Sequence, residues 1–200
     1  MKFNTLLLDP PWPQPAGRRQ VDKRAERFPK VSLADIERFP LSGLGTRNCH
    51  LYIWVTNVLA YEKTAFRMMS QAGFTFRNRI TWVKTDKSGK PIMTLGPWFR
   101  FATEYLLFGT RGSAEAGSHS LPNVIIARRG KLGEKPWESY ELVQCMSPGP
   151  RLELFARRRM DGWRVWGNES GGDDVHVDWA PDRAMSSASG IYNDERHLWR

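Results

Sequence analysis

Leu6-Leu7-Leu8-Asp9-Pro10-Pro11-Trp12 runs from an apolar stretch into an acid, two prolines and a tryptophan. A short bounded apolar run reads as a buried strand. Pro10 and Pro11 end it, because neither has an N–H to give a ladder. The break falls at the carboxyl end of the strand, where open α/β sheets place their ligands. Asp9 and Trp12 are therefore expected on a stiff loop at the mouth of a site.

That loop suits one kind of chemistry. An exocyclic amine on an aromatic ring is a weak nucleophile, since its lone pair is delocalised. A carboxylate and a fixed backbone carbonyl can both accept hydrogen bonds from it and favour a tetrahedral, more nucleophilic nitrogen. Trp12 adds a flat face on which a base can stack, worth roughly 1–3 kcal/mol. Read alone, the tetrapeptide fits equally well an ordinary Pro-rich turn with Trp12 in the core.

Around this stretch the composition is that of one α/β domain with a sizeable core, at 200 residues. A net charge of +9 points to a polyanionic partner. Cys49 and Cys145 are read in apolar surroundings with no metal pattern, as fits a reducing cytoplasm. His50, His119, His176 and His197 have no ligand spacing either, so no metal is expected. No apolar run is long enough for a membrane span.

Residues 13–30 carry Arg18, Arg19, Lys23, Arg24, Arg27 and Lys30 against Asp22 and Glu26. They read as a basic loop beside Asp9, placed for phosphate contact or simply solvated. Ser32 and Asp35 form a capping pair for a short helix ending before Pro40. Residues 50–56 are a strong strand, and Asn57 is placed to cap the next helix. There Val58, Tyr61, Ala65, Met68 and Ala72 recur at helical spacing until Gly73 closes it. A strand over 74–84 follows, then a long loop over 85–100 holding Trp98 and Arg100, a basic contact candidate. Further strands are read at 104–110, 124–127, 151–156 and 163–166, with a helix opened by Pro136 between the second and third. Residues 170–200 read as a tail, ordered at most through Trp179 or Trp199. Alternating strands and helices over residues 3–167 predict a mainly parallel sheet with helices on both faces.

Several stretches, in this order, resemble the mRNA adenine-N6 methyltransferase family, which also holds bacterial and phage DNA adenine methylases. They are Asp9-Pro10-Pro11-Trp12, Leu51-Tyr52-Ile53-Trp54-Val55-Thr56, Ile80-Thr81-Trp82-Val83-Lys84 and Glu104-Tyr105-Leu106-Leu107-Phe108-Gly109. Lys135-Pro136, Ser147-Pro148-Gly149, Glu153-Leu154-Phe155-Ala156-Arg157 and Trp163 through Gly167-Asn168-Glu169 complete the set. The resemblance implies a Rossmann-like fold using S-adenosylmethionine, with the catalytic motif ahead of the cofactor segment in a circularly permuted order. It implies a methyltransferase domain over residues 1–169 and an adenine-N6 methyltransferase acting on DNA, or alternatively on RNA. Asp9 and the Pro10 carbonyl would hold the N6 amine, with Pro11 stiffening the loop and Trp12 flanking the base. Asp9, Lys135, Phe155, Arg157, Asn168 and Glu169 would line the cofactor. Lys135 would face its carboxylate, Arg157 its ribose, and Asn168 and Glu169 its adenine and ribose. A carboxylate suits ribose hydroxyls and a lysine suits a carboxylate.

Blander readings exist for each. Lys135 is also an ordinary base near a helix start, Asn168-Glu169 a turn, and Arg158 and Arg159 solvated charges. Glu104 opens a strand at the site face and is a lesser candidate, while Trp54 and Trp82 read as core or pocket wall. The sequence departs from the family pattern in having eight residues before Asp9 and Phe28-Pro29 where relatives carry Pro-Tyr. The grip on nucleic acid is therefore expected from basic loops or from a homo- or hetero-dimer. An amide methyltransferase and a non-catalytic nucleic-acid-binding subunit are the competing functions.

Overall fold

The computed structural model describes residues 1–13, 31–96, 98–131 and 133–181. Strand β1 (Phe3–Leu8) runs through its interior. Leu6 and Leu8 point into one core and Leu7 into the other, as a period of two requires. Strand β2 (Gly45–Val55) repeats the pattern: Leu51, Ile53 and Val55 join Leu6 and Leu8, while Tyr52 and Trp54 join Leu7. A strand buried on both faces has no polar side, which is why these segments read as unbroken apolar runs.

The remaining elements are α1 (Leu33–Glu37), α2 (Leu59–Gln71), β3 (Thr75–Thr85), β4 (Thr103–Arg111), β5 (Val124–Arg128), α3 (Trp137–Met146), β6 (Arg151–Leu154) and β7 (Trp163–Trp166). The seven strands run in the order β5-β3-β4-β2-β1-β6-β7. Strand β1 is parallel to β2 and β6, β6 to β7, and β3 to β5. Strand β4 alone is reversed, antiparallel to both β2 and β3. As expected, a loop and no helix joins β3 to β4; the direct return reverses the strand, which a mainly parallel sheet did not specify. Helices cover both faces. Ile36 of α1 and Ala65, Met68 and Met69 of α2 fill one core, and Tyr140 and Val143 of α3 the other.

Most local expectations hold. Ser32 and Asp35 form a reciprocal capping box, and Gly73 leaves α2 at φ +76°. Asn57 is not the cap of α2. Val58 occupies that position, and the Asn57 amide instead donates to Thr103 O at 2.6 Å, tying β2 to β4. Pro136 stands at the N-cap of α3, one position before its first turn. Cys49 is buried as expected, but Cys145 is exposed on α3.

The described part of the segment set apart as a tail lies on the domain. Asp174 N–H donates to Val165 O, and the Asp174 carboxylate accepts from Val165 N–H, so the chain covers the outer edge of β7. Val177 is buried, and Trp179 packs edge-on against Phe39, Phe155 and Trp166 while its indole N–H donates to Asp35 O at 3.1 Å. Arg158, part-exposed, and Arg159, exposed, are ion-paired at the surface with Glu134 and Asp174. Among the described residues no helix is long and apolar enough to cross a membrane.

Candidate active site

Register brings the carboxyl ends of four strands to one edge. Leu8 is level with Ile53 and Leu154, and Leu154 with Trp166. The segments leaving β1, β2, β6 and β7 therefore emerge side by side. From β1 the chain continues the ladder one step further, with Asp9 N–H donating to Leu154 O at 3.3 Å. It then turns tightly, Trp12 N–H donating to Pro10 O at 2.8 Å across three residues. The Trp12 indole N–H donates to Trp54 O at 2.8 Å. Its ring stacks on Tyr61 with centroids 5.1 Å apart and planes 9° from parallel, and the Tyr61 hydroxyl donates to Pro13 O. The loop is thus held at Asp9, Trp12 and Pro13. One face of Trp12 is already taken, so a base has only the other.

Asp9 heads a row of alternating charges. Its Oδ1 lies 2.9 Å from Lys135 Nζ and its Oδ2 3.9 Å from Arg157 Nε. Lys135 Nζ also lies 3.0 Å from Glu104 Oε2, and Glu104 Oε1 lies 2.5 Å from Lys84 Nζ. These five groups come from the ends of β1 and β3, the start of β4, the segment before α3 and the segment after β6. Asp9, Lys84, Lys135 and Glu104 have side chains only 10–15% exposed. Burial pushes the Asp9 carboxyl above the ordinary carboxylate range, while Lys135 and Arg157 pull it back. Burial alone would lower the Lys135 pKa, but Asp9 and Glu104 outweigh this and raise it above the ordinary lysine range. Burial likewise opposes ionisation of Glu104, and Lys135 and Lys84 together keep it below its ordinary range.

Asp9 is therefore brought together with Lys135 and Arg157, each more than a hundred residues further along the sequence. Gly133 leaves room for Arg157: a Cβ there would lie 2.1 Å from its Nη1. Phe155 turns the chain out of β6 at φ +61°, and its ring packs against Phe39, Trp166 and Trp179. Asn168 and Glu169 are exposed in the turn after β7, on the same edge. A Cβ on Gly167 would lie 2.4 Å from Ala156 N and O, so this turn abuts the segment leading to Arg157. Arg100 is exposed in the β3–β4 loop. Arg18, Arg19, Lys23, Arg24 and Arg27 lie outside the described residues, as do Phe28 and Pro29.

Sequence reading underrated Glu104 and missed Glu153. Glu153 is level with Leu7 on β6 and 5% exposed. Its Oε1 accepts from the Tyr140 hydroxyl at 2.8 Å, and its Oε2 has no hydrogen-bond partner among the described residues. Burial, opposed by the Tyr140 hydrogen bond and reinforced by the Asp9 charge, raises its pKa from 4.5 to about 7. The local sequence carries no signal for this, since Arg151-Leu152-Glu153-Leu154 alternates polar and apolar like a strand with one wet face. Between these two values the unfolded chain has lost the proton and the folded one keeps it, so stability falls as pH rises. The loss from about pH 5 to about pH 8 is expected to be about 2 kcal/mol for this group. Urea titrations at both pH values should find that loss reduced in Glu153→Gln; equal losses in parent and variant would contradict the assignment.

A mainly parallel α/β sheet, with a rigid Asp-Pro-Pro-Trp loop at the carboxyl end of β1, is a Rossmann-like fold. The model of the family described as MT-A70 matches residues 3–169. The chain belongs to the MT-A70 family, whose methyltransferases use S-adenosylmethionine. It is 29% identical over 176 residues to an N(6)-adenosine-methyltransferase MT-A70-like protein of Arabidopsis thaliana, covering 85% of this chain and 24% of that one. It is 29% identical over 204 residues to the N6-methyladenosine RNA methyltransferase MTA1 of Pyricularia oryzae, covering 94% and 52%. Against the N(6)-adenosine-methyltransferase catalytic subunit METTL3 of Homo sapiens it is 29% identical over 183 residues, covering 88% and 29%. The chain thus spans between about a quarter and a half of the length of these relatives.

Proposed function

We propose that this chain transfers the methyl group of S-adenosylmethionine to N6 of adenine in RNA. The observation that carries the reaction is the pinned Asp9–Pro13 loop, with a buried carboxylate at its start. Family membership supports adenine-N6 chemistry. The choice of RNA over the DNA expected from sequence rests on relatives named as RNA methyltransferases.

The donor set fits the cofactor. Two of the three Lys135 ammonium protons are used by Asp9 and Glu104, which leaves one for a carboxylate. Exposed Asn168 and Glu169 would offer an amide and a carboxylate to an adenine and a ribose, and Arg157, beside Asp9, would lie along the cofactor. Bound there, S-adenosylmethionine supplies an electrophilic methyl on a good leaving group. The protein's part is alignment. Asp9 and the Pro10 carbonyl, which keeps a lone pair beyond its bond to Trp12, accept hydrogen bonds from the N6 amine and draw its lone pair out of the ring. A carboxylate whose pKa burial has lifted is also a better acceptor for the proton that N6 must lose. Trp12 stacks on the base with the face that Tyr61 leaves. A paired adenine would first have to leave its duplex.

The test is transfer of labelled methyl to matched RNA and DNA, single- and double-stranded, with nucleoside analysis of the product. N6-methyladenosine in RNA is the expected result. Product in DNA alone would overturn the choice of substrate. Product in neither pool, with cofactor bound, would overturn the catalytic reading. Some relatives are named as subunits, so assembly as a homo- or hetero-dimer belongs to the proposal and is read by sedimentation of the same samples.

A further inference from the structure

We propose that the tip of the β3–β4 loop is a base-stacking clamp, in which Trp98 and Phe99 replace the stacking partners that neighbouring bases lose when the target adenine is drawn into the site. This rests on the nucleic-acid reading above and names the grip it lacks.

The loop has its own scaffold. Beyond the last β3–β4 pair, the loop is folded into two turns, one closed by the bridge Thr85 to Pro91 and the other by the bridge Thr94 to Phe101. Thr94 and Phe101 exchange both backbone hydrogen bonds, at 2.8 and 3.0 Å, and the Thr94 hydroxyl adds a third at 3.0 Å. Gly96 permits the fold-back at the tip: a Cβ there would lie 2.0 Å from Phe99 O. On this support Trp98 is 89% and Phe99 82% exposed, and neither ring contacts another ring among the described residues. Water hydrates two adjacent aromatic faces poorly, and exposed apolar patches mark sites of interaction.

Charge chooses the occupant. The same loop carries Lys87, Lys90 and Arg100, all exposed. Its single acid, Asp86, is consumed within its own turn, accepting from Ser88 N–H and hydroxyl and from Lys90 N–H. Flat rings on a loop that also carries cations suit single-stranded nucleic acid, whose bases stack and whose phosphates attract. Position agrees. Phe101 stands three residues before Glu104, and Lys84, at the other root of the loop, pairs with Glu104 in the Asp9 row. The clamp is therefore built from the residues that lead directly into the candidate active site.

The test is fluorescence anisotropy with labelled adenine-containing single-stranded RNA and DNA oligonucleotides. It compares the parent, Trp98→Ala/Phe99→Ala, Trp98→Phe and Trp98→Leu. The double variant is expected to bind at least about tenfold more weakly. The slope of log Kd against log salt should not change, because no cation is lost. Trp98→Phe should retain most of the affinity and Trp98→Leu should not, since only the former keeps a flat face. KM for oligonucleotide should rise more than kcat falls. Equal affinities in parent and double variant, with the parent binding and methylating, would overturn the clamp and leave the proposed function standing. A double variant that alters sedimentation but not oligonucleotide affinity would overturn it in favour of a protein-docking surface. A parent that binds neither oligonucleotide would overturn both. Both side chains are exposed, so the urea midpoint should not move.

Discussion

Asp9→Asn is expected to lower methyl transfer by about a hundredfold or more while S-adenosylmethionine still binds within a few-fold of the parent, an effect of the size seen when one preorganised electrostatic contact to a reacting group is removed. Asparagine keeps the shape of the side chain and one carbonyl oxygen. It loses the charge, and its own NH2 group would confront the N6 amine with donor against donor. Lys135 keeps Glu104 as a partner, so the site is not left with an uncompensated buried cation. Asp9→Ala removes both acceptor oxygens and is expected to abolish transfer. Single-turnover transfer and calorimetry of cofactor binding check the two halves separately. Transfer at the parent rate in either variant would overturn the assignment of Asp9 as the acceptor of the amine.

Lys135→Ala carries the largest expected effect on stability. The ammonium is shared by two buried carboxylates, and removing one member of a buried pair costs about 3–5 kcal/mol. Arg157 and Lys84 retain some hold on Asp9 and Glu104, so the lower end, about 3 kcal/mol, is expected. The sign of the pH dependence follows from what is left behind. With the cation gone, Asp9 is raised further above its ordinary range. A carboxyl raised in the folded state costs stability as pH rises. The deficit of Lys135→Ala should therefore be larger at about pH 8 than at about pH 5, and the acidic limb of its pH–rate profile should move to higher pH. Adding Glu104→Gln removes the facing charge and should recover part of the loss. Urea titrations of the two single variants and the double variant check this as a cycle. A deficit independent of pH, or an additive double variant, would contradict the shared-cation arrangement.

These two outcomes probe different properties of one row of charges. In the proposed reaction Asp9 would face the amine, while Lys135 keeps Asp9 and Glu104 from repelling each other in a buried place. The prolines and the bonds to Trp54, Leu154 and Tyr61 hold the loop, so little reorganisation is left for the reaction step.

Residue types in order were enough for the sheet's central strands, the break at Pro10-Pro11, the capping box at Ser32 and the exit at Gly73, because each of these is local. A period of two, a missing N–H, a hydroxyl three residues from a carboxylate and a glycine at positive φ act over a few residues, and the sequence displays them directly. The ordered motifs also pointed to the family and to Asp9, Lys135 and Arg157 as candidates. The reversal of β4 was not legible, since a long loop without a helix fits either strand direction until the strands pair. Asn57 has the chemistry of a cap but is drawn to Thr103 by a strand that begins 46 residues later. Glu104 looked minor because its worth comes from Lys84 and Lys135, which only the sheet and the segment before α3 bring within 3.0 Å. Glu153 looked like an ordinary motif residue because nothing near it in sequence says that both faces of β6 are covered. Charge and burial are properties of the assembled neighbourhood. Tertiary structure alone decided which carboxylates share a cation, which one stands without a full set of partners, and which aromatic pair is left facing water.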